Sequence, residues 1–154
     1  MGIQSVKKQI QEENLNLKIL EFEESTATVD EAAKAVGVEP GQIAKTLAFK
    51  VKEDDILIVV KGDSKIDNRK FKDYFKAKAK MMSGEEVLEI TGHPVGGVCP
   101  FGLKNSINVY LDNSLREFET VYPAAGTPNS AVKVTIEDLQ EITNGVWVDV
   151  CKEC

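Results

Sequence analysis

The chain has 154 residues, 42% of them hydrophobic and 29% charged, with 11 glycines and 5 prolines. That length fits one domain with its own core and is short for two, and a composition near the globular average excludes a disordered, collagen-like or coiled-coil chain. A net charge of −6 excludes a generally basic nucleic-acid coat, and no apolar run reaches the length of a membrane span. The start, Met1–Lys8, lacks the apolar core of a secretory signal, and Gly2 has Val6 where a myristoylation motif needs Ser or Thr. The cytoplasm is the expected compartment.

In chain order, residues 5–15 read as a helix with Ser5 as cap and Val6, Ile10 and Leu15 on its apolar side, followed by a short strand over Leu17–Phe22. Thr28-Val-Asp-Glu31 is a capping box that opens a helix through Val36, stopped by Gly37. Ile43–Lys52 and Ile56–Lys61 are strand-like runs joined by a short acidic turn, an antiparallel hairpin. Asp67 caps a helix to about Lys76, with Phe71, Tyr74 and Phe75 inward and Arg69, Lys72 and Lys76 outward. Ser83-Gly-Glu-Glu86 caps a further helix that ends near Gly92. A Gly/Pro-rich loop, His93–Gly102, leads to a strand over Ile107–Asp112 whose Ile107, Val109 and Leu111 share one face. Phe118–Tyr122 and Ala131–Val134 read as strands, Thr135 starts a helix to Ile142, and Val146–Val150 closes the pattern. With no linker, repeat or low-complexity tract, this is one mixed α/β domain of the α+β-like kind, a mixed, largely antiparallel sheet flanked by helices.

Charge is uneven along the chain. Lys61, Lys65, Arg69, Lys70, Lys72, Lys76, Lys78 and Lys80 face only Asp63, Asp67 and Asp73 in the same window, so a basic stripe sits on an acidic body. It fits a protein touching one end of a polyanion, or a solvated lysine-rich helix face. Cys99, Cys151 and Cys154 are too few and too unevenly placed for a disulfide framework. Cys151-x-x-Cys154 has zinc or redox spacing, yet a metal site would need His93, the chain's one histidine, and would still be a ligand short, so a frayed tail without function is favoured.

Lys45 is conspicuous. In period two, Ile43, Lys45, Leu47, Phe49 and Val51 share a face, and the other four of these are large and apolar. An ammonium there needs an anionic partner, a lowered pKa or a water-filled pocket; alternatively, Lys45 snorkels to solvent from the strand end. The segment Gly92-His-Pro-Val-Gly-Gly-Val-Cys-Pro-Phe-Gly102 combines four glycines with two prolines, so it can hold an irregular backbone. Amides at Gly96 and Gly97 suit an anion or oxyanion pocket, and a plain connecting turn is the alternative. Gly126-Thr-Pro-Asn-Ser130 is a second tight turn. A Cys99–His93 dyad is conceivable from position, against Cys99 as a small buried hydrophobe. No P-loop, dinucleotide fingerprint or metal motif is present.

Taken together, Ile43-Ala-Lys-Thr-Leu47, Thr91-Gly-His-Pro-Val-Gly-Gly-Val-Cys-Pro-Phe-Gly102 and Ala125-Gly126 followed by an Asp138-Leu139 helix resemble the YbaK/EbsC family of free-standing aminoacyl-tRNA deacylases, relatives of the editing insertion of bacterial prolyl-tRNA synthetases. The resemblance runs from about residue 5 to Asp149, leaving 150–154 as a tail of the single domain. It implies the YbaK/prolyl-tRNA synthetase-associated fold, neither cofactor nor metal, and hydrolysis of the ester that joins a wrong amino acid to the tRNA 3′ adenosine. It assigns the essential lysine to Lys45 and the Gly-x-x-x-Pro loop to Gly96, Gly97, Val98, Cys99 and Pro100. Phe22, Thr46 and Gly126 join these as substrate-binding residues, and Arg69, Lys72 and Lys76 are weaker candidates for tRNA contact. The implied partners are the 3′ CCA end of an aminoacyl-tRNA and prolyl-tRNA synthetase. Members specific for Cys-tRNA(Pro) usually carry a serine and an acidic residue where this chain has Ala124 and Ala131, and a tyrosine where it has Phe22. The expected substrate range is therefore tRNA(Pro) carrying a small amino acid: Cys, Ala or Ser. The rival reading is a non-catalytic module of the same fold that binds aminoacyl-tRNA or a synthetase.

Overall fold

The computed structural model describes residues 2–152. Helix α1 (Ile3–Glu12) begins before Ser5, which lies in its first turn instead of capping it. The chain is already held ahead of it: Gly2 N–H donates to Gly92 O at 3.0 Å, and Gly2 O accepts from Ser5 N–H at 3.1 Å. Asn14, in the left-handed region at φ 52°, ends the helix short of Leu15, a conformation that asparagine tolerates.

After β1 (Lys18–Glu21), the capping box of Thr28 and Glu31 opens α2 (Val29–Val36), and Gly37 closes it at φ 87°. β2 (Ile43–Val51) and β3 (Asp54–Lys61) form the expected antiparallel hairpin. In α3 (Asn68–Phe75), the Asp67 carboxylate accepts from the N–H groups of Arg69 and Lys70. Phe71 is buried as expected, but Tyr74 is 47% exposed. Three residues on from Phe71 it falls on the shoulder of the apolar stripe and lies edge-on to Phe75. A two-residue strand absent from the sequence reading, β4 (Lys80–Met81), precedes α4 (Gly84–Thr91), whose Ser83/Glu86 capping box and Gly92 stop match expectation. β5 (Asn108–Asp112), β6 (Thr120–Pro123), β7 (Ser130–Thr135), α5 (Ile136–Thr143) and β8 (Val146–Val148) complete the order. The last strand is shorter than expected: Val150 N–H turns to the buried Asp112 carboxylate, and Cys151 bridges Ile66.

Among the described residues the strands run β1-β7-β6-β2-β3-β5-β8, with β4 against β2. β1–β7, β6–β7, β2–β3 and β2–β4 are antiparallel, whereas β2–β6, β3–β5 and β5–β8 are parallel. The fold is thus a mixed sheet flanked by helices, and no helix is long and apolar enough to cross a membrane.

Both faces of the central hairpin are covered, the second one in addition to the apolar face read from β2. Ala44, Ala48, Leu57 and Val59 pack under Val6 of α1, Val87 of α4 and Leu139 of α5. Phe49, Val51, Ile56, Ile58 and Val60 pack on the opposite face with Phe71 of α3. Two-sided burial accounts for the unbroken apolar run Ile56–Val60, and each such side chain contributes roughly 1.5–3 kcal/mol.

The arrangement that positions the site is a break in the edge of β2. On that edge, β6 pairs only with Ile43 and Ala44, and β4 only with Phe49 and Lys50. Between them Met82 N–H donates to Ala48 O at 3.0 Å, but on this edge Lys45–Leu47, paired with β3 on the other, have no strand alongside among the described residues.

Candidate active site

A cleft of about 400 Å³ opens at that break. Lys45 and Thr46 of β2 form its floor; the start of α2, Met81 and Met82, the loop residues Val95, Gly96 and Val98, and Tyr122, Ala124 and Ala131 form its walls. Strand alternation puts Lys45 and Thr46 on opposite faces, so the cleft meets the sheet from both sides of its edge.

Lys45 belongs to the Leu47, Phe49 and Val51 face, opposite Val60 in register. It is half-buried, and its ammonium makes no hydrogen bond or ion pair among the described residues. Burial lowers its pKa from the ordinary lysine value, an effect opposed by Cys151 and Asp63. A cation held in partly apolar surroundings without a partner is poised to meet an anionic or polarisable oxygen.

The loop residues divide into cleft wall and support. Gly96, at φ 88°, and Val98 line the cleft. Gly97 does not line it, and its N–H is taken by Pro94 O at 2.9 Å, so the pair of free amides expected from the sequence is absent. Instead Gly97 O accepts from Gly126 N–H at 3.0 Å, and a Cβ on Gly97 would lie 2.6 Å from Thr127 N. The two glycine turns are thus packed backbone to backbone. Pro100 lies away from the cleft, on a second depression beside α1. Phe22 is joined to the 126–130 turn through its N–H to Asn129 O and its O to the Asn129 side chain, both at 2.9 Å, and it does not line the cleft. Arg69, Lys72 and Lys76 are exposed along α3 and do not line it either. The basic stripe is also thinner than its charge count, because Lys61 is buried against Glu117 at 2.6 Å and Lys70 pairs with Asp149 at 3.0 Å.

The structure does bring Cys99 and His93 together, with Sγ 3.7 Å from Nε2, but both are fully buried. His93 Nε2 lies 2.6 Å from Phe101 O, an atom that only accepts, so Nε2 carries the ring proton and cannot receive one from the thiol. Burial pushes the Cys99 thiol up to about 12 and lowers His93. The pair has the geometry of packing and not of a nucleophile with its base. Cys99→Ala is therefore expected to retain turnover within a few-fold and to lose on the order of 1 kcal/mol of stability. Abolished activity with the fold intact would restore the thiol-enzyme reading. Nor does His93 join Cys151: one lies with Cys99 in the first core, the other in the core on the opposite face. Cys154 lies outside the described residues.

Several cleft residues escape the sequence reading. Tyr122, beside Ile43 in register, lies on the Lys45 face, and its phenol makes no hydrogen bond among the described residues. Only the parallel β2–β6 pairing places it there, and nothing local in the sequence signals that pairing. Thr26 and Ser130 are buried and tied together, Thr26 Oγ1 donating to Ser130 O at 3.2 Å.

The family model described as aminoacyl-tRNA editing domain matches residues 23–142. The chain is 49% identical over 155 residues to the uncharacterized protein YwhH of Bacillus subtilis (strain 168), covering 99% of each. It is 30% identical over 134 residues to a proline–tRNA ligase of Caldicellulosiruptor bescii, a match spanning 82% of this chain and 23% of the ligase. A solved structure described as a candidate trans-editing enzyme for prolyl tRNA synthetase superposes with a TM-score of 0.91 at 32% identity, covering 98% of this chain and 97% of that one. With the family model matching most of the chain and the fold shared with that solved structure, the chain belongs to the aminoacyl-tRNA editing domain family.

Proposed function

We propose that this chain is a trans-editing aminoacyl-tRNA deacylase that hydrolyses the ester of a mischarged tRNA, tRNA(Pro) carrying a small amino acid such as cysteine, alanine or serine. The observation that carries this reading is the Lys45 ammonium at the break in β2, without a partner among the described residues and facing a cleft whose walls carry no other charged side chain. Lys45 stays cationic and holds the terminal phosphate or the ester oxygen. Gly96 and Val98 shape the opposing wall. Water adds to the carbonyl carbon, assisted by the neighbouring ribose hydroxyl; the bond from that carbon to the ribose oxygen breaks. The ribose oxygen takes up a proton, releasing free amino acid and tRNA. An aminoacyl ester is already activated, so positioning and charge stabilisation in a low-dielectric cleft supply the rate. A tRNA substrate places the reaction in the cytoplasm, with prolyl-tRNA synthetase as the partner whose errors it clears.

The test is deacylation of a panel of tRNAs mischarged with Cys, Ala or Ser, with correctly charged Pro-tRNA(Pro) as control. Turnover of at least one mischarged species and sparing of Pro-tRNA(Pro) is the expected result. Binding without turnover would favour the non-catalytic module. The exposed Arg69, Lys72 and Lys76 are assigned to guiding the acceptor stem. Reversing all three to Glu is expected to weaken tRNA binding roughly tenfold at low ionic strength and much less at high salt, read by filter binding at two salt concentrations. A salt-independent loss would remove them from the interface.

A further inference from the structure

The Thr46 side chain stands opposite Val59 in register, on the face that packs into the first core. Around it in the cleft are Ala44, Ala48, Met82, Val87 and Val98, none with a polar side-chain group suited to strong hydrogen bonding. Its own hydroxyl is the exception. Thr46 Oγ1 is closed off from solvent and has no hydrogen-bond partner among the described residues. The other aliphatic hydroxyls along the cleft are already used, Thr26 on Ser130 O, Thr28 in the α2 capping box and Ser130 with Thr127, while the Tyr122 phenol belongs to the opposite, Lys45 face. A buried hydroxyl without a partner is a standing cost that valine, of the same shape, would not incur. Such violations concentrate at functional sites. Thr46 as a residue is nevertheless partly exposed, so its exposure comes from other atoms. Thr46 itself lines the cleft, and a turn of about 120° about its Cα–Cβ bond, to a neighbouring staggered rotamer, moves the oxygen out of its closed position.

We infer that Thr46 is the specificity-determining residue of this cleft: its hydroxyl receives the side-chain hydroxyl of the aminoacyl group, so a seryl ester is preferred over an alanyl one. The inference rests on the deacylase reading above and adds to it the class of amino acid. Serine and alanine differ by one oxygen, so pocket size contributes little to the choice between them and the hydrogen bond decides it. A site with a hydroxyl to satisfy discriminates against the analogue that cannot satisfy it far better than an apolar pocket measures a methylene.

The experiment compares kcat/KM for Ser-tRNA(Pro) and Ala-tRNA(Pro) with wild type, Thr46→Val and Thr46→Ser. Wild type is expected to favour the seryl substrate at least about tenfold. Thr46→Val, which keeps shape and removes the oxygen, collapses that ratio to about one, whereas Thr46→Ser retains it. A wild-type ratio near one, or a ratio unmoved by Thr46→Val, overturns the inference. A second measurement separates it from the hydrolysis reading: calorimetric binding of non-hydrolysable 3′-amide analogues of seryl- and alanyl-adenosine. Tighter seryl binding that Thr46→Val abolishes sustains the inference even if no ester is hydrolysed. Equal binding of the two analogues, or binding of neither, overturns it.

Discussion

Lys45→Ala is expected to lower the deacylation rate by roughly 10²–10³-fold, the loss associated with one donor to a developing oxyanion. The fold should survive, because the ammonium holds no internal partner among the described residues and the side chain is only half-buried. Its pKa is lowered mainly by burial, so the folded state disfavours the charged form. The sign follows: at neutral pH the charge is a cost to stability, and the cost is relieved as the pH rises from the lowered value towards the ordinary 10.5. Removing the charge should therefore leave the thermal midpoint at pH 7 unchanged or slightly raised. The same shift makes wild-type kcat/KM, corrected for spontaneous hydrolysis, decline with rising pH before 10.5, a limb that Lys45→Ala lacks. Lys45→Arg keeps the charge but replaces a compact ammonium by a longer planar fork, and should recover little. Wild-type turnover in Lys45→Ala at matched folding would end the mechanism proposed here.

How far the sequence leads depends on whether a signal is local. The capping boxes at Thr28/Glu31 and Ser83/Glu86 and the stops at Gly37 and Gly92 were legible because a few adjacent residues satisfy the helix-end groups. The hairpin of β2 and β3 was legible for the same reason. What period-two alternation could not show was that α1, α4 and α5 cover one face of β2 while α3 covers the other. Small Ala44 and Ala48 gave the second buried face no signal of its own. Lys45 was legible from the alternation alone, since its face is apolar as read; what the sequence did not show is the interruption between β6 and β4 beside it, because two-residue β4 carries no sequence signal at all. Tyr122 was missed because its neighbours in the cleft are distant in the chain. Gly96 and Gly97 look alike in sequence, and only the docking of the second against the 126–127 turn separates a cleft wall from a support.

That distinction makes Gly97→Ala a disruptive single methyl at the support of the site. The new Cβ would stand 2.6 Å from Thr127 N, 2.7 Å from Thr127 Cα and 2.8 Å from Gly126 C, all backbone atoms with no rotamer to turn away. The backbone torsion at Gly97 is not left-handed, so the effect is steric overlap and not lost conformational freedom. Relief requires the two turns to separate, which strains the Gly126 N–H to Gly97 O bond at 3.0 Å and moves Val98 and Gly96 away from Lys45. A cost of about 3 kcal/mol, at the upper end of overpacking, corresponds to a midpoint lowered by roughly 6–12 °C in a chain of this size. Turnover per folded molecule should fall as well, because the wall opposite the lysine is displaced. Gly84→Ala is the control: its Cβ meets only the flexible Val95 side chain at 3.3 Å, at the start of a helix where alanine is favourable. Its midpoint should stay within a few degrees of wild type. If Gly97→Ala melts with Gly84→Ala, the backbone contact between the loops is looser than these distances require, and the division of the loop into wall and support fails with it.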